Sequence, residues 1–95
     1  MSAPKSPVAG FDLGRLLATP NALAHLTPQD ILNGIQRHHA GDWGDVDEED
    51  RQANERALID GSRLFSVYHS AKGVKYWIIT EAGSAVSTVL LPEDY

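Results

Sequence analysis

Residues 63–91 read RLFSVYHSAKGVKYWIITEAGSAVSTVLL, and this stretch decides the fold. It contains three runs that are of strand length and rich in β-branched and aromatic residues, at 63–69, 74–80 and 85–91. The connections between them, 70–73 and 81–84, each carry a glycine near the end, as hairpin turns do. The stretch predicts a three-stranded antiparallel meander that ends before Pro92, because proline cannot continue a strand ladder.

Helical signals precede the meander. Thr19-Pro20 and Thr27-Pro28 each pair an N-cap threonine with a proline at the first helical position. They predict a short helix after Thr19 and a longer one from Pro28 to about His39. A third helix is expected from an N-cap at Asp45 or Asp47 to about Asp60, with Gly61 ending it.

The second predicted helix has an apolar stripe that includes Ile31, Leu32 and Ile35. Helical spacing puts His39 near the centre of this stripe and His38 on its flank. Gly34 inside the helix indicates either a close neighbour or simple tolerance. The third helix has a narrow apolar face, formed by Ala53, Ala57 and Leu58, and is expected to lie on the sheet.

Residues 12–18 fit either a strand or a first helical turn, and we favour a strand. The predicted fold class is therefore α+β. Two to three N-terminal helices pack on a C-terminal three-stranded antiparallel meander, and a fourth, N-terminal strand is an open alternative.

The chain has 95 residues and no cysteine, so neither a disulfide framework nor a thiolate metal site is available to it. Its longest uncharged apolar run is too short to span a bilayer, and no basic segment followed by an apolar one opens the sequence. We expect a flexible tail over residues 1–10 and a single domain over residues 11–95. The expected location is the cytoplasm, without membrane association.

Charge is concentrated in one segment. Eight acidic and two basic residues lie between positions 41 and 60, whereas the whole chain has a net charge of −5. The eight lysines and arginines are scattered, and nucleic-acid affinity comes chiefly from clusters of them. The composition therefore disfavours direct nucleic-acid binding.

Several short motifs together resemble a known protein family. They are 18–23 (ATPNAL), 37–38 (RH), 41–45 (GDWGD), 49–50 (ED) with Asn54, 62–64 (SRL), 66–68 (SVY), 77–81 (WIITE) and 88–95 (TVLLPEDY). The family comprises short bacterial proteins of plasmids and other mobile elements, labelled plasmid-related protein or type I restriction endonuclease subunit M. The resemblance implies a mobile-element context. A methyltransferase subunit would need a much longer chain and a glycine-rich cofactor loop.

An enzymatic alternative is a small endoribonuclease toxin, because helices followed by an antiparallel sheet are similar in outline to the RelE and barnase-like groups. Such an enzyme needs a base or acid and a cation for the phosphoryl charge. The candidate residues are His38, Arg63, Tyr68, Thr80 and Thr88. Strand alternation places Arg63 and Tyr68 on opposite faces, which weakens a shared site.

The leading hypothesis is a non-enzymatic accessory factor of mobile elements, such as an anti-defence inhibitor, that occludes a basic nucleic-acid-binding protein through its acidic segment. The expected contact residues are Trp43, Asp45, Asp47, Glu48, Glu49 and Asp50, and Trp43 is expected to be exposed. We expect no cofactor and no metal, because the carboxylates lack the pattern of a calcium loop. A homodimer is a further hypothesis, and a plasmid-maintenance regulator is a third function.

Overall fold

A computed structural model describes residues 11–95, and the tail predicted over residues 1–10 lies outside them. The described part contains three α-helices, a four-stranded sheet and a closing 3-10 turn. In chain order these are β1 (Arg15–Ala18), α1 (Pro20–His25), α2 (Pro28–His39), α3 (Glu48–Asp60), β2 (Leu64–His69), β3 (Lys75–Thr80), β4 (Val86–Leu90) and the turn Pro92–Asp94. The predicted α+β class is confirmed.

The sheet has the strand order β1-β4-β3-β2. The predicted meander is confirmed for β2, β3 and β4, which are antiparallel, with Leu64 opposite Thr80 and Ile78 opposite Val89. The strand favoured for residues 12–18 is also present, and it runs parallel to β4, with Arg15 opposite Val86. The sheet is therefore mixed and four-stranded, because the long connection from β1 returns the chain to β4 in the same direction.

The predicted caps define where the helices begin. The Thr19 hydroxyl accepts a hydrogen bond from the Ala22 N–H (3.0 Å), and Thr27 and Asp30 cap each other reciprocally (3.0 Å each way). For α3 the N-cap is Asp47, whose carboxylate accepts from the backbone N–H three residues later (2.8 Å). Each cap satisfies a backbone donor that the first helical turn leaves free, so these boundaries follow from local chemistry.

One face of the sheet is covered by α1 and α2. The core on this face consists of the buried residues Ala22, Leu26, Tyr68, Tyr76, Ile78, Val89 and Leu91. Gly34 allows α2 to lie close to β3, since a Cβ built there would meet the Tyr76 hydroxyl at 2.7 Å. Of the two alternatives for Gly34, the close neighbour is thus correct.

The stripe assignment on α2 was wrong by one residue. His38 is 0% exposed and faces the sheet, whereas His39 is exposed. Ile31, Ile35 and His38 follow one line of the helix at spacings of four and three residues, and this line faces the core. Counting Leu32 as a core residue shifted the centre of the predicted stripe towards His39, but the Leu32 side chain is exposed.

The third helix lies along β2 and closes the outer edge of the sheet. The Asn54 side chain donates to the Phe65 carbonyl (2.8 Å) and accepts from the Phe65 N–H (3.0 Å). Two residues further along, the Val67 N–H donates to the Trp43 carbonyl and the Val67 carbonyl accepts from the Asp45 N–H. The predicted placement of α3 on the sheet is thereby refined to the strand at its edge.

The opposite face of the sheet carries the half-buried side chains of Phe65 and Trp77, and the first turns of α3 border it. The alternation predicted for β2 is confirmed, because Leu64 and Tyr68 pack in the cores of the helix-covered face. None of the helices in residues 11–95 has the length and apolar character that a bilayer crossing requires.

Candidate functional site

Four buried side chains form a hydrogen-bonded chain beneath α2, which we call the His38 chain: His38, Ser66, Thr80 and Ser87. The His38 Nδ1 lies 2.5 Å from the Ser66 hydroxyl and its Nε2 lies 2.9 Å from the Thr80 hydroxyl. Thr80 continues to Ser87 (2.7 Å), whose hydroxyl donates to the Leu13 carbonyl (2.6 Å). The chain joins α2 to three strands and to the segment that leads into β1.

The Leu13 carbonyl at the end of this chain determines which group donates in each hydrogen bond between it and the His38 Nε2. A carbonyl only accepts, so the Ser87 hydroxyl donates its single proton to the Leu13 carbonyl, and the Thr80 hydroxyl must donate to Ser87. The Nε2–H of His38 then donates to Thr80. When the imidazole is neutral this is the Nε2–H tautomer, and its Nδ1 accepts from Ser66, so both ring nitrogens are satisfied.

The surroundings of His38 oppose its protonation. Burial, and secondarily the neighbouring His39, lower the pKa of His38 to about 4. The aromatic rings of Phe11 and Trp43 pack edge-on against the imidazole, at centroid distances of 5.5 and 5.6 Å. His38 is thus an enclosed structural group in this fold, and its nitrogens do not reach a surface where a substrate could bind.

The structure separates the five residues of the ribonuclease hypothesis. His38 and Thr80 are in contact but buried, and the buried Tyr68 donates its hydroxyl proton to the Asp42 carbonyl (2.6 Å). Arg63 lies at the other face, where its guanidinium donates to the Tyr95 hydroxyl (2.8 Å). Thr88 is opposite Ile79 in the sheet, also on that face. The five do not converge.

Trp43, expected to be exposed, is 4% exposed, so that expectation is wrong. Its indole N–H donates to the Glu55 carboxylate (3.0 Å), and its ring packs with Ala57 and Leu64. The cause is the turn at Gly44, where φ is +74° and a Cβ would lie 2.0 Å from the Val67 carbonyl oxygen. Only glycine lets the backbone approach β2 this closely, and the approach carries Trp43 inward.

Most carboxylates of the acidic segment have local partners. Asp45 accepts from His69 (3.0 Å), Asp47 caps α3, and Glu48 accepts from Arg51 and Gln52. The hydrogen bond from Arg51, ahead of that from Gln52, lowers the pKa of Glu48 to about 2. The side chains of Glu49 and Asp50 make no hydrogen bond or ion pair with the part of the chain that the structure describes. These two carboxylates are the ones available to a partner.

Asp50 forms part of an aromatic cleft, the Trp77 cleft, which has a volume of about 250 Å³. Its lining residues are Asp50, Ala53, Asn54, Arg63, Phe65, Trp77, Ile79 and Tyr95. The Trp77 ring lies edge-on to Phe65 and to Tyr95, at centroid distances of 5.0 and 5.7 Å. The cleft therefore combines an apolar floor with a carboxylate in its wall that no side chain of residues 11–95 engages.

The indole Nε1 of Trp77 is buried and has no hydrogen-bond acceptor among residues 11–95. Leaving a buried donor without an acceptor costs about 1–3 kcal/mol.

A second, wider groove of about 590 Å³ lies between α2 and the β2–β3 turn. Its main ionic groups already pair with each other: Arg37 contacts Asp42 through two hydrogen bonds (2.8 and 3.2 Å) and stacks over the Tyr68 ring at 4.6 Å. His69, at the groove, pairs with Asp45. Within residues 11–95 no group of three or more His, Asp or Glu side chains is arranged to hold a metal ion.

Comparison with known proteins adds no relative. No family model, no curated protein and no solved structure matches this chain.

Sequence reasoning missed the Trp77 cleft. The alternation that assigned Phe65 to one face of β2 would have found part of it, because Trp77 follows the same alternation on β3. The wall formed by Asp50 and Tyr95 had no comparable signal. Those residues come from the start of α3 and the end of the chain, which only the folded structure brings together.

Proposed function

We propose that this protein is a non-enzymatic binding factor that captures a basic segment of a partner protein at the Trp77 cleft. The observation that carries this proposal is the placement of the unpaired carboxylate of Asp50 in the wall of an aromatic cleft. An apolar side chain of the partner enters the cleft beside Trp77. A neighbouring lysine or arginine contacts Asp50 and Glu49.

The physical chemistry of the cleft supports this partner class. Aromatic residues contribute large contact areas with little loss of side-chain freedom, and they dominate binding energies at interfaces. Exposed carboxylates contribute to orientation and association rate more than to affinity, whereas a like charge in their place repels the partner, and both effects weaken with salt. Arg63 is at the cleft as well and keeps its positive charge, because its contacts are the neutral hydroxyl and ring of Tyr95. The basic residue of the partner therefore approaches on the Asp50 side of the cleft, and the apolar anchor lies between the two charges.

The acidic segment extends this surface beyond the cleft. Asp47, Glu48 and Glu49 are exposed at the start of α3, next to Asp50. A row of carboxylates presents a phosphate-like field to a basic nucleic-acid-binding protein, so capture of such a protein would occlude its nucleic-acid site. The resemblance to mobile-element proteins supports an anti-defence setting for this occlusion.

A peptide titration tests the cleft. Trp43 and Trp77 are the two tryptophans of the chain, so a Trp43→Phe variant leaves Trp77 as the single reporter. We expect peptides that combine an aromatic or leucine anchor with flanking lysines or arginines to change Trp77 fluorescence saturably. Peptides of the same composition with glutamate in place of the basic residues should have no effect.

Two matched variants locate the contact. Glu49→Lys with Asp50→Lys should weaken the binding of basic peptides by about 10-fold or more, as should Tyr95→Ala. Asp12→Lys with Glu81→Lys changes the net charge equally at exposed positions away from the cleft, and binding should stay within about 2-fold. If both charge-reversal variants lost peptide affinity equally, the effect would come from net charge alone, and the assignment of binding to the cleft would be overturned.

A further inference from the structure

The outer edge of β1 presents unpaired backbone groups. The Arg15 N–H donates to the Ala85 carbonyl, just before β4, and the Thr19 N–H donates to the Val89 carbonyl, at 2.9 and 3.0 Å. Residues 15, 17 and 19 therefore turn towards β4. Alternation then turns the N–H and C=O groups of Leu16 and Ala18 away from the sheet. β1 is the edge of the described sheet, and the side chains of Leu16 and Leu17 are exposed there.

The two edges of the sheet are treated differently. At β2, every outward backbone group of Phe65 and Val67 is paired, through Asn54 and the turn at residues 43–45. At β1, no described residue provides such a cover. Native proteins blunt exposed edges with charge, proline or a cover, because an open edge pairs with other chains. The β1 edge instead exposes two apolar side chains, Leu16 and Leu17.

We propose that β1 pairs with β1 of a second copy of this chain, antiparallel, about a two-fold axis at Leu17. In this register Leu16 of each copy lies opposite Ala18 of the other copy. Each of these two pairs exchanges two backbone hydrogen bonds, so the interface contains four. The two Leu17 side chains meet at the axis, as a closely spaced pair between the hydrogen-bonded ones. The product is one continuous eight-stranded sheet.

The charge distribution favours a second copy as the occupant. The chain has a net charge of −5, so most of its surface repels another copy. Residues 11–26 contain one acid and one base, Asp12 and Arg15, and Asp94 adds one carboxylate where it accepts hydrogen bonds from Thr19 and Asn21. The acidic α3 lies along β2, three strands or roughly 14 Å from β1. Pairing at β1 thus joins the edges of low charge and leaves the acidic helices at the far ends.

The closed edge at β2 limits the assembly to two copies. The two-fold pairing uses β1 of each chain, and the remaining edges of the joined sheet are the covered β2 strands. An isologous interface of this kind is complete when it has formed once. This inference is independent of the Trp77 cleft.

Sedimentation of the full chain over roughly 5 µM to 1 mM tests the pairing. We expect a monomer–dimer equilibrium with a Kd on the order of 100 µM, as for a small interface, and no larger species. Leu17→Lys places two like charges at the axis and should raise the Kd by about 30-fold or more. Leu32→Lys is the control, because Leu32 on α2 is 47% exposed and Leu17 is 42% exposed.

A cysteine pair locates the axis, since the chain has no thiol of its own. Leu17→Cys should form a disulfide-linked dimer under mild oxidation, because facing residues of such a pair have the Cα spacing that a disulfide requires. Leu32→Cys should remain largely monomeric. Equal crosslinking of the two variants, or a wild type that stays monomeric at 1 mM, overturns the proposal.

Amide hydrogen exchange separates a second copy from a cover supplied by the same chain. The Leu16 and Ala18 amides should become protected as protein concentration rises, in parallel with dimer formation. Protection that is already present in the monomer and independent of concentration would mean that another segment of the chain covers β1, and it would overturn the proposal.

Discussion

Protonation of His38 should destabilise this protein in mild acid. The pKa of His38 is about 4 in the folded chain and about 6.5 when unfolded, so between these values the unfolded state binds more protons. Stability is then complete above pH 6.5 and is lost as the pH falls towards 4. Linkage gives a loss of about 2 kcal/mol between pH 7 and pH 5, and about 3 kcal/mol by pH 4. A domain of this size has about 5–10 kcal/mol in all.

Urea unfolding of the wild type and a His38→Gln variant at pH 7, 6, 5 and 4 measures this loss. Glutamine keeps one acceptor and one donor for Ser66 and Thr80 but does not titrate. The variant retains every carboxylate and the other three histidines, so their contributions cancel in the comparison. The wild type should lose about 2 kcal/mol more than the variant between pH 7 and pH 5. Parallel pH profiles, or an NMR titration of His38 near 6.5, would refute the enclosed neutral imidazole.

Two further substitutions test how the edge of β2 is closed. Asn54→Ala should lower the free energy of unfolding by about 2–3 kcal/mol in urea titrations, because it leaves two backbone groups of β2 unpaired. The control Asn33→Ala, at an exposed position of α2, should change the free energy of unfolding by no more than about 0.5 kcal/mol. Gly44→Ala should cost at least about 2 kcal/mol more than Gly61→Ala, which thermal unfolding can resolve. Both glycines have positive φ, but only at Gly44 does the added Cβ meet backbone, the Val67 carbonyl oxygen at 2.0 Å. Equal costs at the two glycines would contradict the close approach described for that turn.

Features that depend on nearby residues were predictable from the sequence. Pro28 and His39 bound α2 as expected, and α3 ends at Asp60 before Gly61, whose φ is +79°. These boundaries depend on caps, prolines and glycines within a few residues of each helix end. The meander was equally accessible, because strand alternation and short turns are local patterns.

Features that depend on distant parts of the chain were not accessible in the same way. Trp43 sits between glycines and resembles an exposed turn residue, yet the Gly44 turn lies against β2 and buries it. His38 was misplaced because an exposed leucine, Leu32, shifted the apparent stripe. The Trp77 cleft needs residues 50 and 95 together, which no window of sequence contains.

The parallel pairing of β1 with β4 affects how the protein is made. Arg15 lies opposite Val86, so β1, the first of the strands described in residues 11–95, cannot pair until β4 has been synthesised. At synthesis rates of about 5–20 residues per second, this wait is roughly 4–14 s. During that time β1 has neither its sheet partner nor the anchor from Ser87 to the Leu13 carbonyl. A nascent chain stalled after β3 should therefore leave the backbone groups that β1 turns towards β4 unpaired, which opens the inner side of this strand to pairing with other chains.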